Sequence, residues 1–292
     1  MAKMTLRIAD FVIDLINQSE CEIKLEEGYL AFVVDEPKVA ASVQLIAHAE
    51  IPASLKELRD PIYAADFEGN RLWEIFQAED GLVFHVYSST EPYQLQQIAK
   101  FNSDLTVWDI YSEPVEDEGA KCLFPLLYPM GPLVMYYLTV KYDAIMIHGS
   151  GISDDGKGRI FTGVSGQGKT TMAKLWFEAG AEVLNDDRLI VRRDANQYTV
   201  HNTPMFYEDK PRTAKLTAVY SIYHSPDNRI TKLNGVEALA AVTPNLIQHG
   251  YSSELIDHHL NFVSEMIGEI PVFKLGFVPD KRVIQELREH DR

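Results

Sequence analysis

Cysteine is nearly absent from this chain: Cys21 and Cys122 are the only two in 292 residues. So sparse a pair is a poor basis for a disulfide framework or a zinc site, and it suits a reducing compartment. Positive charge is also short, with 27 Lys and Arg against 43 Asp and Glu and a formal net charge of −16. Such a surface repels nucleic acid phosphates and anionic lipid headgroups, so neither nucleic acid nor membrane is an expected partner. Residues 1–10 carry charges and lack the apolar core of a secretory signal. Long hydrophobic runs are missing too. The nearest, Cys122 to Val140, is uncharged for 19 residues, but Pro125, Pro129, Gly131 and Pro132 interrupt it. Each proline removes a helical hydrogen bond that lipid cannot replace. The stretch reads as a kinked, buried helix pair and the chain as cytoplasmic. There is no internal repeat and no low-complexity tract.

What is present supports a folded protein, because 46% hydrophobic residues leave enough apolar surface to bury despite the charge. The length suits two domains. Early on, Cys21, Ile23 and Leu25 alternate with charged residues as in a half-buried strand, and Tyr29 to Val34 is a further β-rich run. Arg71 to Gln77 and Leu82 to Tyr87 flank Asp80-Gly81, a hairpin signal. Pro114, Glu116, Asp117, Glu118 and Gly119 form an acidic break. The expected division is therefore a smaller, β-rich α+β domain over 1–119, with no role assigned, and an α/β domain over 120–292.

In the second part, Ala144 to His148 and Arg159 to Thr162 are strand candidates, joined through Asp154, Asp155, Gly156 and Gly158 as in a hairpin. Met172, Leu175, Trp176 and Ala179 repeat at helical spacing over 170–179, and Gly180 suits a helix end. Glu182 to Asn185 is a strand. Asn234 with Glu237 forms a capping-box pair, and Leu255, Ile256, Leu260, Val263 and Met266 mark a later amphipathic helix.

The segment 163–170, Gly-Val-Ser-Gly-Gln-Gly-Lys-Thr, fits G-x-x-x-x-G-K-[ST] at every fixed position. Glycines let successive N–H groups turn toward a phosphate, and the following helix adds the positive end of its dipole. The expected nucleotide contacts are Gly163, Ser165, Gly166, Gln167, Gly168, Lys169, Thr170 and Thr171, with Lys169 reaching the terminal phosphates and the Thr170 hydroxyl a Mg²⁺ ligand. A chance glycine-rich turn is the competing reading, but the motif sits between a short apolar strand and an amphipathic helix, where the mechanism needs it.

Asp186-Asp187-Arg188 follows only 17 residues beyond Lys169. One strand-end carboxylate suits Mg²⁺, and another facing the γ-phosphate suits a base that takes the proton of an attacking hydroxyl. Adjacent strand residues point to opposite sides. Asp186 is assigned as base and Asp187 as the metal-side carboxylate, with the exchange of roles left open; a solvated turn is the plainer alternative. If the hairpin turns at Asp155-Gly156, equal offsets set His148 opposite Gly163, beside the phosphates. A histidine satisfied within a strand pair is the common alternative.

These three pieces, His148-Gly149, the loop Gly163 to Thr170 and Asp186-Asp187-Arg188, resemble the catalytic domain of bacterial HPr kinase/phosphorylase and its relatives, which share a core with ATP-dependent phosphoenolpyruvate carboxykinase. Asn202-Thr203-Pro204 and the segment from Asn228-Arg229 to Glu237-Ala238-Leu239 are weaker echoes. The resemblance spans about residues 123–290 and not the first 119. It implies a P-loop kinase-like mixed sheet and transfer of the γ-phosphoryl group of ATP, with Mg²⁺, to a serine hydroxyl, the first aspartate serving as base. The long loop that such enzymes carry after the Asp-Asp-Arg strand is missing, which speaks against HPr itself as acceptor.

The first expectation is thus a kinase acting on a hydroxyl, serine foremost, of a peptide, protein or small metabolite. A nucleotide-gated binding or scaffold protein of the same fold is the alternative, and a carboxykinase is disfavoured by length. A homo-oligomer is left open. Lys210, Arg212 and Arg229 are minor candidates for stabilising phosphoryl charge. Glu208 and Asp209 are minor candidates for a second metal. His249, His258 and His259 read as a solvated helix surface, and Trp73, Trp108 and Trp176 as core.

Overall fold

The computed structural model describes residues 3–35, 39–194, 197–204 and 210–290. The chain is mixed α/β. It divides into two compact units, the first running to Lys141 and the second built from Tyr142–Thr203 and the residues from Pro211 onward.

The first unit holds an eight-stranded sheet. Its spatial order is Lys3–Ile8, Phe11–Asn17, Val43–His48, Val107–Ser112, Leu95–Phe101, Leu82–Tyr87, Asn70–Gln77 and Tyr63–Phe67. Phe11–Asn17, Val43–His48 and Val107–Ser112 run parallel to one another, and every other neighbouring pair is antiparallel. The hairpin expected around Asp80-Gly81 is present.

Three expectations for this region are corrected. Only Glu22–Ile23 of the alternating stretch is strand, pairing with Leu123 and Cys122. The run 29–34 is a short helix, Glu27–Leu30, followed by a single bridge from Val33 to Leu6. Tyr29 is buried there, so its apolar character serves packing rather than a ladder. Finally, 122–140 is no helix pair. Ala120–Leu123 is a strand, a turn carries Pro125 and Pro129, and one helix, Met130–Lys141, follows with Pro132 in its first turn.

The acidic break is the hairpin turn between Val115–Asp117 and Ala120–Leu123, with Glu118 and Gly119 both at positive φ. The units divide after Lys141 instead. The reason is aromatic packing: Tyr137 of the helix lies 5.3 Å from Phe84, 5.1 Å from Phe101 and 5.8 Å from Trp108, ring to ring. Burying those faces ties 120–141 to the first sheet.

In the second unit, a nine-stranded sheet follows the order Ala144–His148, Arg188–Asp194, Gln197–Asn202, Thr213–His224, Lys157–Thr162, Ser150–Asp154 and Glu182–Asn185. Val272–Phe277 pairs in parallel with Thr213–His224 and antiparallel with Arg229–Leu233. The twelve-residue strand Thr213–His224 is the spine: its first residues pair with Gln197–Asn202 and its later ones with Lys157–Thr162 and Val272–Phe277.

Two apolar clusters flank this sheet. Met172 and Trp176 of the helix Lys169–Glu178 pack with Phe161, Tyr220, Phe277 and Leu287. Phe262, Val263 and Met266 of the helix Ser253–Glu269 pack with Ile145, Val191 and Val200. The capping-box expectation fails. Gly235, at φ 50°, caps the helix Val236–Val242 without a side-chain bond. Among the described residues no helix is long and apolar enough to cross a membrane.

Candidate functional site

The hairpin that carries the phosphate-loop motif joins Ser150–Asp154 to Lys157–Thr162. It turns at Asp155 and Gly156, both at positive φ, as their residue types favour. The register matches the expected offsets, with Ser150 opposite Phe161. The chain leaves this pairing at Gly149, however, and Ala144–His148 pairs with Arg188–Asp194. His148 still lies at the foot of the loop, because the Thr162 hydroxyl donates to its carbonyl at 2.8 Å.

The loop occupies 163–168, and the helix Lys169–Glu178 begins at once. Gly168 is its left-handed N-cap, at φ 94°. A side chain there would meet Phe277 Cζ at 2.8 Å, so the position demands glycine twice over. The Gln167 N–H donates to the Val164 carbonyl at 3.3 Å. His224 Nε2 lies 2.9 Å from the Gly166 carbonyl and its ring stacks on Phe277, two supports that the sequence did not reveal. Val164, Ser165, Gly166, Thr170 and Thr171 are exposed. The first turn of the helix holds no acidic residue, and by geometry its leading N–H groups lack intrahelical partners. An anion is the ligand that such an end accommodates.

Lys169 is buried, and its Nζ donates to the Gly163 and Val164 carbonyls at 2.8 and 3.2 Å. Burial pushes its pKa down, opposed by the charges of Asp186 and Asp187. The lysine and the two carboxylates therefore share one electrostatic neighbourhood.

The two aspartates take different partners. Asp187 Oδ1 lies 3.0 Å from His148 Nδ1, and its Oδ2 lies 3.6 Å from Arg188 Nε. Burial raises its pKa, but the His148 hydrogen bond and the charges of Arg188, His148 and Lys169 outweigh that and hold it below the usual carboxylate range. Asp186 Oδ1 accepts a hydrogen bond from the hydroxyl of Ser150, a fully buried residue. The turn itself is shaped by Asn185, whose Oδ1 accepts from the N–H groups of Asp187 and Arg188 at 2.8 and 3.4 Å. Asn185 in turn donates to the Thr203 carbonyl at 3.1 Å, and the Thr203 hydroxyl donates to the Arg188 carbonyl at 3.0 Å. Ser150, Asn185 and Thr203 were missed as supports. The legible signal was an asparagine just before the paired aspartates, a residue that bonds the backbone two positions on.

No protein-family model and no curated protein matches this chain. Against solved structures, it is similar to the Hpr(Ser) kinase/phosphatase from Coxiella burnetii at 11% identity, over 50% of this chain and 95% of that one, with a TM-score of 0.30. An overlap that loose carries no weight for function, which is argued below from the residues.

The minor candidates separate. Arg212 is committed to structure: its Nη1 donates to the Leu184 carbonyl at 3.3 Å and its Nε lies 3.7 Å from Glu182. Arg229 and Lys210 are exposed, and Lys210 groups with the first unit. Glu208 and Asp209 lie outside the described residues. The expectation of a solvated histidine surface is overturned, since His249 and His259 are 3% and 0% exposed and His258 Nε2 lies 3.0 Å from the Ala144 carbonyl. The neighbouring apolar residues, Leu255, Phe262, Val263 and Met266, draw that helix face inward. Trp108 and Trp176 are fully buried, in keeping with core roles.

Proposed function

We propose that this chain is a kinase that transfers the γ-phosphoryl group of ATP to a hydroxyl, serine foremost, of a peptide, protein or small metabolite. The observation that carries this reading is the convergence of Lys169, at the head of a glycine loop and helix, with two carboxylates that have unlike partners.

In this reading the loop backbone and the start of the helix bind the polyphosphate, and Lys169 exchanges its bonds to the Gly163 and Val164 carbonyls for phosphate oxygens. Thr170 and Asp187 are the residues that would hold Mg²⁺, and the depressed pKa of Asp187 suits a ligand that must stay ionised. When bound, the metal neutralises charge on the phosphates. Asp186 is the base: it takes the proton of the acceptor hydroxyl as that oxygen bonds to the γ-phosphorus, the bond to the bridging oxygen breaks and ADP leaves. Ser150 orients the Asp186 carboxylate by its hydrogen bond, and His148 does the same for Asp187. The net charge of −16 favours a neutral or basic acceptor.

The test is transfer from γ-labelled Mg-ATP into fractionated extract by the wild type, Asp186→Asn and Lys169→Ala. Asp186→Asn should keep nucleotide binding and lose transfer by roughly two to four orders of magnitude. Lys169→Ala should lose binding itself. Labelling that survives both changes removes the proposal, and nucleotide binding without transfer by the wild type favours a nucleotide-gated binding protein.

A further inference from the structure

Within the first unit, a groove of about 660 Å³ opens where the parallel strands Phe11–Asn17, Val43–His48 and Val107–Ser112 reach their carboxyl ends. The carboxyl ends of parallel strands are where connecting loops are free to wall a crevice, and ligands commonly bind there. The walls here come from the residues just past two of those strands, Gln18 to Glu20 and Ala49, Glu50 and Pro52, with Tyr111 from the third. One wall is held in shape by Asn17, whose Oδ1 accepts from the Ser19 N–H and hydroxyl at 2.9 and 2.8 Å while its Nδ2 donates to the Cys21 carbonyl at 2.7 Å.

The polar groups facing the groove form a set. His48 and Tyr111 are register partners, and their rings stack at 4.6 Å with a 17° interplanar angle. His48 Nε2 lies 2.7 Å from Asp109 Oδ1. A carboxylate oxygen accepts, so Nε2 carries the hydrogen of this pair, and in that neutral tautomer Nδ1 would be the acceptor. Burial and the Asp109 charge push the Tyr111 hydroxyl pKa up, which keeps the phenol protonated. Among the described residues neither Nδ1 nor that hydroxyl has a protein partner. Glu20 and Glu50 stand at the rim, and no lysine or arginine lines the groove.

We infer that this groove binds a small organic cation, a protonated amine or quaternary ammonium. Nδ1 of His48 accepts an ammonium hydrogen, the stacked rings offer a π face, and the rim carboxylates set the sign of the field. A carboxylate or phosphate ligand would meet the like charge of Glu20 and Glu50, with no lysine or arginine in the lining to offset it. The inference concerns the first unit alone and stands whether or not the second transfers phosphate.

The test is calorimetric titration of the full chain with choline, butylammonium and agmatine, against succinate and inorganic phosphate as anionic probes. At least one ammonium probe should bind saturably, with affinity reduced about tenfold in Tyr111→Ala and retained in Tyr111→Phe. Because Tyr111 also packs against the cluster of Ile51 and Phe76, a second variant at exposed positions, Glu20→Gln with Glu50→Gln, should weaken the same probe while leaving the melting temperature unchanged. Absence of binding by every ammonium probe, preference for the anions, or wild-type affinity in both variant sets overturns the assignment.

Discussion

At Gly168 a substitution meets two obstacles together, a φ of 94° and the buried ring of Phe277 at 2.8 Å from a built Cβ. Gly166, at φ 82°, has only the first, since nothing lies within 4 Å of its Cβ. Gly168→Ala should therefore lower stability by about 1–3 kcal/mol and, if the loop binds nucleotide as proposed, abolish the thermal shift expected with Mg-ATP, and Gly166→Ala should cost clearly less. Parallel melting curves with and without nucleotide check this. Ser150 carries the second prediction at this scale. Removing its hydroxyl leaves Asp186 without a hydrogen bond to a charged group, which is worth about 1.5–3 kcal/mol. If Asp186 is the base, Ser150→Ala should slow transfer roughly tenfold to a hundredfold. The Michaelis constant for ATP should barely move, because the loop is untouched; steady-state kinetics separates the two.

Among the elements, the helix Lys169–Glu178 depends on the last helix of the chain, Arg282–His290, for its position. Arg288 grips Asp154 with two bonds, Nε to Oδ2 at 3.0 Å and Nη2 to Oδ1 at 2.7 Å, and its guanidinium lies 5.4 Å from the Trp176 ring. Arg159, fully buried, lies over the same ring at 5.0 Å. The forked pairing explains why the Asp154 pKa is held down, so this contact is present above the usual carboxylate range and is lost as pH falls through the depressed value. Arg288→Ala should destabilise the second unit by about 1–2 kcal/mol, discounted for the partial exposure of Arg288. Arg288→Lys should recover only part of it, because an ammonium cannot span both oxygens. Urea unfolding followed by Trp176 fluorescence reads both.

For the molecule as a whole, the buried histidines set an acid limit. Burial pushes His249 down to about 3 and His259 down to about 4. The unfolded chain binds those protons from its ordinary value near 6.5 downward, whereas the native chain does not, so stability falls as pH drops from 7 toward 4. Each site should cost on the order of 2 kcal/mol by pH 5. Urea midpoints at pH 7.5 and 5.0 check the slope, which should flatten in His259→Leu. The acidity read from composition and this acid limit have different origins, one in exposed carboxylates and the other in two residues that looked solvated. The glycine loop leading into a helix, the turn at Asp155-Gly156 and the strand ending at the aspartate pair were legible in the sequence because each is a run of neighbouring residues whose backbone demands are local. The tertiary structure alone decided that Ser150 meets Asp186, that His148 meets Asp187 and that 120–141 joins the first unit. It also decided that Thr213–His224 serves as the spine and that His48, Asp109 and Tyr111 stand together. Hydrophobic period tells which face of an element is buried but not which partner covers it, and these pairings join residues that only packing brings within reach.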